Sequence, residues 1–62
     1  MPTHFQNFAQ VYAQRHGYVH ALEIAAVFKS LGNEPPANPV AELRGDERFA
    51  YDETSDRFTV AS

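Results

Sequence analysis

Three histidines, three serines and five cationic side chains are the groups in this sequence with types suited to chemistry. His16 and His20 stand four apart, the spacing that places two imidazoles on one face of a helix. Gly17 lies between them and breaks any helix there, so the spacing does not deliver that geometry. A zinc site needs three or four ligands, and no nearby Asp or Glu completes a set. The histidines therefore read as helix-end and surface residues, with no metal expected. Ser30, Ser55 and Ser62 lie outside any G-x-S-x-G turn that would activate a nucleophile. The three glycines each follow a helical pattern and form no phosphate-binding loop. Arg44-Gly45-Asp46 spells an integrin-binding tripeptide, but with no sign of secretion it reads as a helix end with a glycine stop. A chain of 62 residues also has little room for a ligand pocket of about 300 Å³ or more. The expectation is no enzyme, no cofactor and no small-molecule substrate.

Charge is what remains, and it is unevenly placed. Residues 1–32 carry Arg15 and Lys29 against Glu23, a net +1. Residues 33–62 carry Arg44, Arg48 and Arg57 against Glu34, Glu42, Asp46, Glu47, Asp52, Glu53 and Asp56, a net −4. The whole chain sits at −3 with no cysteine, which excludes disulfides and thiolate metal sites. No apolar run approaches the ~20 residues of a membrane helix, and the N-terminus lacks the pattern of a signal peptide. An intracellular location is expected. The start at Met1 fits either a complete small protein or one domain of a longer chain.

These side chains must be positioned by a single domain, residues 1–62. Thr3 and Gln6 have the spacing of a capping box, and Phe5, Phe8, Ala9 and Tyr12 follow at i, i+3, i+4, i+7. A first helix is predicted over Thr3 to His16, with Gly17 as its stop. "YVH" then has strand character. Ile24, Val27, Phe28 and Leu31 form a second helical stripe, widened by Leu22 and Ala25, in a helix from about Ala21 to Leu31 ended by Gly32. The proline-rich "GNEPPANP" connects it to a third helix, Pro39 to Arg44, capped by Asn38 and stopped by Gly45. From Arg48 the apolar period changes to two, and "DETSD" between the alternating runs predicts a β-hairpin. The predicted core is Phe5, Phe8, Tyr12, Leu22, Ile24, Val27, Phe28, Leu31, Val40, Leu43, Phe49, Tyr51, Phe58 and Val60. Aromatics dominate because a chain this size buries only ~60% of its unfolded surface and has no staple. Tyr51 and Phe58 could also serve as stacking platforms for single strands, but the core needs those rings.

With "ALEIAAVF" in the second-helix position and "ELRGDERFAYDETSDRFTV" running from the third helix into a hairpin, the chain resembles winged-helix domains. The likeness is to the transcription factor IIE core and related HARE-type helix-turn-helix modules. It implies a small α+β winged helix: three helices, then a β-hairpin wing to which "YVH" adds a short third strand. It also implies DNA binding through the third helix and wing. The contacts would come from Asn38, Arg44, Arg48 and Arg57, with Lys29 in support. Such domains place the first residues of the recognition helix at base edges in the major groove. The third helix here is shorter and less basic than in DNA-reading members, and the sequence pI of 5.4 is far from the basic footprint expected. An alternative follows from that acidity. The domain would be a docking module, with Glu42, Asp46 and Glu47 steering a basic protein partner to the same surface.

Overall fold

The computed structural model describes residues 1–61, so Ser62 lies outside the described residues. Its elements are α1 (His4–His16), α2 (Ala21–Ser30), α3 (Pro39–Arg44), β1 (Phe49–Asp52) and β2 (Arg57–Val60). Each helix begins and ends for a local reason. The Thr3 hydroxyl accepts from the Gln6 N–H at 3.1 Å while the Gln6 side chain accepts from the Thr3 N–H at 2.8 Å, the predicted capping box. Gly17 closes α1 at φ 90°, donating its N–H to Ala13 O, a conformation that favours glycine. At the end of α2, the Asn33 N–H reaches Phe28 O and the Gly32 N–H reaches Lys29 O. That pair of bonds is a Schellman motif around Gly32, whose φ is also 90°. Asn38 Oδ1 accepts from the Ala41 N–H at 3.1 Å, and Pro39 fills the first position of α3.

β1 and β2 pair antiparallel with Phe49 opposite Val60 and Tyr51 opposite Phe58. Val19, the middle of "YVH", exchanges both backbone hydrogen bonds with Phe58, at 2.9 and 2.8 Å. The predicted third strand is thus a single bridge, giving the order Val19, β2, β1. Three helices followed by an antiparallel hairpin make a small α+β fold, the arrangement of a winged-helix-like domain.

The core combines the large side chains Phe5, Ile24, Phe28, Leu43 and Phe58 with Val19, Ala9, Ala13, Ala21 and Ala25. Phe8, Tyr12, Val27, Val40, Phe49, Tyr51 and Val60 pack against it, half-buried. Two predicted core residues are corrected: Leu22 is 68% exposed and Leu31 64%. α2 buries the stripe Ala21, Ile24, Ala25, Phe28, one helical face over from the predicted one. Both stripes share Ile24, Ala25 and Phe28. The side carrying Ala21 and Ala25 is the one turned inward. Leu31 leaves the stripe because α2 ends at Ser30 and Leu31 is already its cap.

Candidate functional site

Starting from the third helix, the six residues of α3 run less than two turns and present Ala41 and Arg44 to solvent. Asn38 is exposed, but its side-chain oxygen is used as the α3 cap. Arg44 closes the helix and lays its guanidinium over the Tyr51 ring, 5.2 Å from the centroid. Arg57, at the start of β2, does the same on Tyr18 at 3.9 Å. Both cations remain exposed, held in place by aromatic faces in the cation–π manner. Lys29 is exposed in the last turn of α2.

Arg48 is placed differently. Its Nε donates to both carboxylate oxygens of Asp46, at 3.1 and 3.0 Å, and one terminal nitrogen donates to Asp46 Oδ2 at 2.6 Å. The other terminal nitrogen reaches Asn7 Oδ1 at 3.0 Å and Gln10 Oε1, both on α1. All but one of the guanidinium N–H groups are therefore satisfied inside the molecule. Asp46 also accepts from the Arg48 backbone N–H at 3.0 Å, an Asx turn that fixes the entry to β1. The Asp46 side chain is only 7% exposed and that of Arg48 27%. Hydrogen bonds from Arg48 hold the Asp46 carboxyl below its ordinary value, against the opposing effect of burial, and the same pairing raises Arg48.

The other acidic candidates divide in the same way. Glu47 is exposed, and Glu42 is half-buried while its backbone carbonyl accepts from the Gln6 side chain at 2.8 Å. Asp52 ties the hairpin turn, accepting from the Thr54 N–H and the Ser55 hydroxyl at 3.0 Å each. Asp56 sits at φ 56° and accepts from the Tyr51 hydroxyl at 2.7 Å. That bond, ahead of burial, raises the Tyr51 phenol above its ordinary value.

The histidines that sequence spacing left without a role both have partners. His16 stacks on Tyr12, with centroids 4.3 Å apart. His20 Nδ1 lies 2.8 Å from the Asp56 carbonyl oxygen, pinning the hairpin turn to the start of α2. Among the described residues, no group of three His, Asp or Glu side chains is placed to hold a metal ion. No helix among the described residues is long and apolar enough to cross a membrane.

The structure thus brings Asn38, Arg44, Glu42 and Glu47 to α3 and its exit, and Arg57 to the wing, while Asp46 and Arg48 turn to each other and to α1. Comparison with protein-family models, curated proteins and solved structures finds no match.

Proposed function

We propose that this chain is a non-catalytic recognition domain whose α3–hairpin surface docks a basic segment of a protein partner. One observation carries the reading: Arg48, a cation that a nucleic-acid surface on α3 would need, is already engaged by Asp46, Asn7 and Gln10. Its neutralisation of Asp46 is internal, and the charges left in residues 33–62, Arg44 and Arg57 against Glu34, Glu42, Glu47, Asp52, Glu53 and Asp56, still sum to −4. Phosphate neutralisation supplies essentially all non-specific affinity for DNA, and an acidic face opposes it. The same face attracts lysine and arginine side chains and speeds their encounter. Glu42 and Glu47 carry the attraction, with Asp46 acting as the support of the loop that displays Glu47.

Arg44 and Arg57 favour a second reading, DNA binding through α3 and the wing. Both guanidiniums are exposed and orientationally restrained on tyrosine rings, with Asn38 and Lys29 available in support. A titration by fluorescence anisotropy separates the two. The chain is titrated into a short lysine- and arginine-rich peptide and into duplex DNA, at low and at physiological salt. Docking predicts salt-sensitive peptide binding that disappears when Glu42→Lys and Glu47→Lys are combined. DNA binding that falls steeply with salt and is lost in Arg44→Ala with Arg57→Ala would replace it with the second reading.

A further inference from the structure

Between the C-terminal half of α1 and the N-terminal half of α2 lies an open groove of about 260 Å³. Tyr12, His16, Tyr18, His20 and Glu23 line it, over apolar side chains of Val19, Ile24 and Val27. We propose that this groove is a binding site for a single cationic side chain, a lysine or arginine from a protein partner. The site goes beyond the α3–hairpin surface and uses none of its acidic residues.

Size, charge and ring chemistry favour that occupant. The volume falls below the about 300–1,000 Å³ of pockets that enclose small-molecule ligands, so one side chain is the fitting occupant. Its stem would lie on Val19, Ile24 and Val27. Glu23 carries the only full negative charge in the lining, and no Lys or Arg shares it. Aromatic rings attract a cation through the negative potential of their faces. The molecule already uses this chemistry on a ring of the lining itself, where Arg57 sits 3.9 Å from the centroid of Tyr18 and takes one face of it, so the incoming cation depends chiefly on Glu23. The ring geometry is also braced without a ligand. His16 is stacked on Tyr12, and His20 is held by the Asp56 carbonyl and edge-on to Tyr18 at 5.4 Å. An anion is the competing occupant, since α2 starts here without a side-chain cap. The Glu23 carboxylate in that first turn opposes one.

The test is an amide-resolved NMR titration of the full chain with Nα-acetyl-lysine amide and Nα-acetyl-arginine amide. Nα-acetyl-norleucine amide is the uncharged control, and inorganic phosphate is the anionic one. The expected result is saturable shifts at Val19, His20 and Glu23 with the two cationic probes only. Glu23→Gln, an exposed and conservative change, should weaken them by about threefold or more, the scale of one exposed charge contact with its ring partners. Equal shifts with norleucine, shifts with phosphate, or no saturation with any probe would each overturn the site. Glu42→Lys with Glu47→Lys leaves this groove intact, so failure of the docking surface and failure of the groove are read separately.

Discussion

Two aromatic clusters, one on the helices and one on the sheet, hold the molecule together by different means. In the helical region Phe28 meets Phe5, Phe8 and His4 at centroid distances of 5.3, 5.4 and 5.6 Å. In the sheet region Phe58 meets Tyr51 at 4.6 Å and Phe49 at 6.1 Å. The helices around Phe28 are closed by local devices, a capping box and glycine stops, with the Gln6 side chain tying α1 to the Glu42 carbonyl of α3. The hairpin around Phe58 is tied down by side chains: Arg48 to α1, His20 to the turn, and Tyr51 to Asp56. An isolated hairpin is marginal in water, so the sheet depends on such ties to the helices. Several charged residues in the second region thus have structural work first, and only those left over stand exposed without an internal role.

The comparison breaks most sharply at Phe58, fully buried and hydrogen-bonded through its backbone to Val19. Phe58→Ala should cost about 3–5 kcal/mol, enough to unfold a domain this small. Urea unfolding followed by circular dichroism should lose its single cooperative transition. Helical signal that survives with its own transition would show instead that the Phe28 region folds without the sheet.

Next in size is the Arg48 tie. Arg48→Ala takes the guanidinium from the half-buried Asp46 carboxylate and leaves it only the residue-48 backbone N–H, an expected loss of about 1–3 kcal/mol in the same unfolding experiment. Acid unfolding sharpens the point. The folded Asp46 carboxyl is lowered by Arg48, so its contribution is fully present above the ordinary carboxylate value. It is lost as pH falls through the lowered folded value. Asp46→Asn should therefore be less stable at neutral pH and should lose part of the acid-limb dependence. An unchanged acid limb would remove Asp46 from the account.

What the sequence disclosed follows the same division. α3 was legible residue for residue, from Asn38 as its cap to Arg44, because caps and glycine stops act over a few positions. The hairpin was legible from its period of two, whereas the pairing of "YVH" with it was implied by the winged-helix resemblance, since strand character alone names no partner. The ties were not legible, since Arg48 meets Asn7 and Gln10 across 41 and 38 positions. Only the Asp46–Arg48 half had a local signal, an aspartate two residues before an arginine at a turn. On α2 Ala25 was read into the stripe but the buried Ala21 was not, because hydrophobic patterning weighs large side chains.

A smaller effect lies at the hairpin turn, where the Tyr51 hydroxyl donates to Asp56. The raised Tyr51 phenol adds stability at pH below its ordinary value, and that contribution is lost as pH rises through the raised folded value. Asp56→Asn keeps a residue tolerant of the left-handed conformation and removes the charge. It should lower the Tyr51 titration, read by carbon-13 shifts of the labelled ring, and an unmoved Tyr51 titration would remove Asp56 as its cause.

The smallest effect tests the helical side of the comparison. Leu22 and Leu31 are large apolar residues on α2 and at its cap that the fold leaves in solvent. If the Phe28 cluster stands on Ala21, Ile24, Ala25 and Phe28 alone, neither leucine contributes to the core. Leu22→Gln and Leu31→Gln should each change stability by less than about 0.5 kcal/mol, the range of surface substitutions. A loss near the about 2–5 kcal/mol of a truncated core leucine would mean that the stripe containing Leu31 is the buried one. In that case α2 would be rotated toward the face that hydrophobic periodicity alone predicts. The rotation would also carry Glu23 away from Tyr18 and His20, so this pair of variants checks the geometry on which the groove depends.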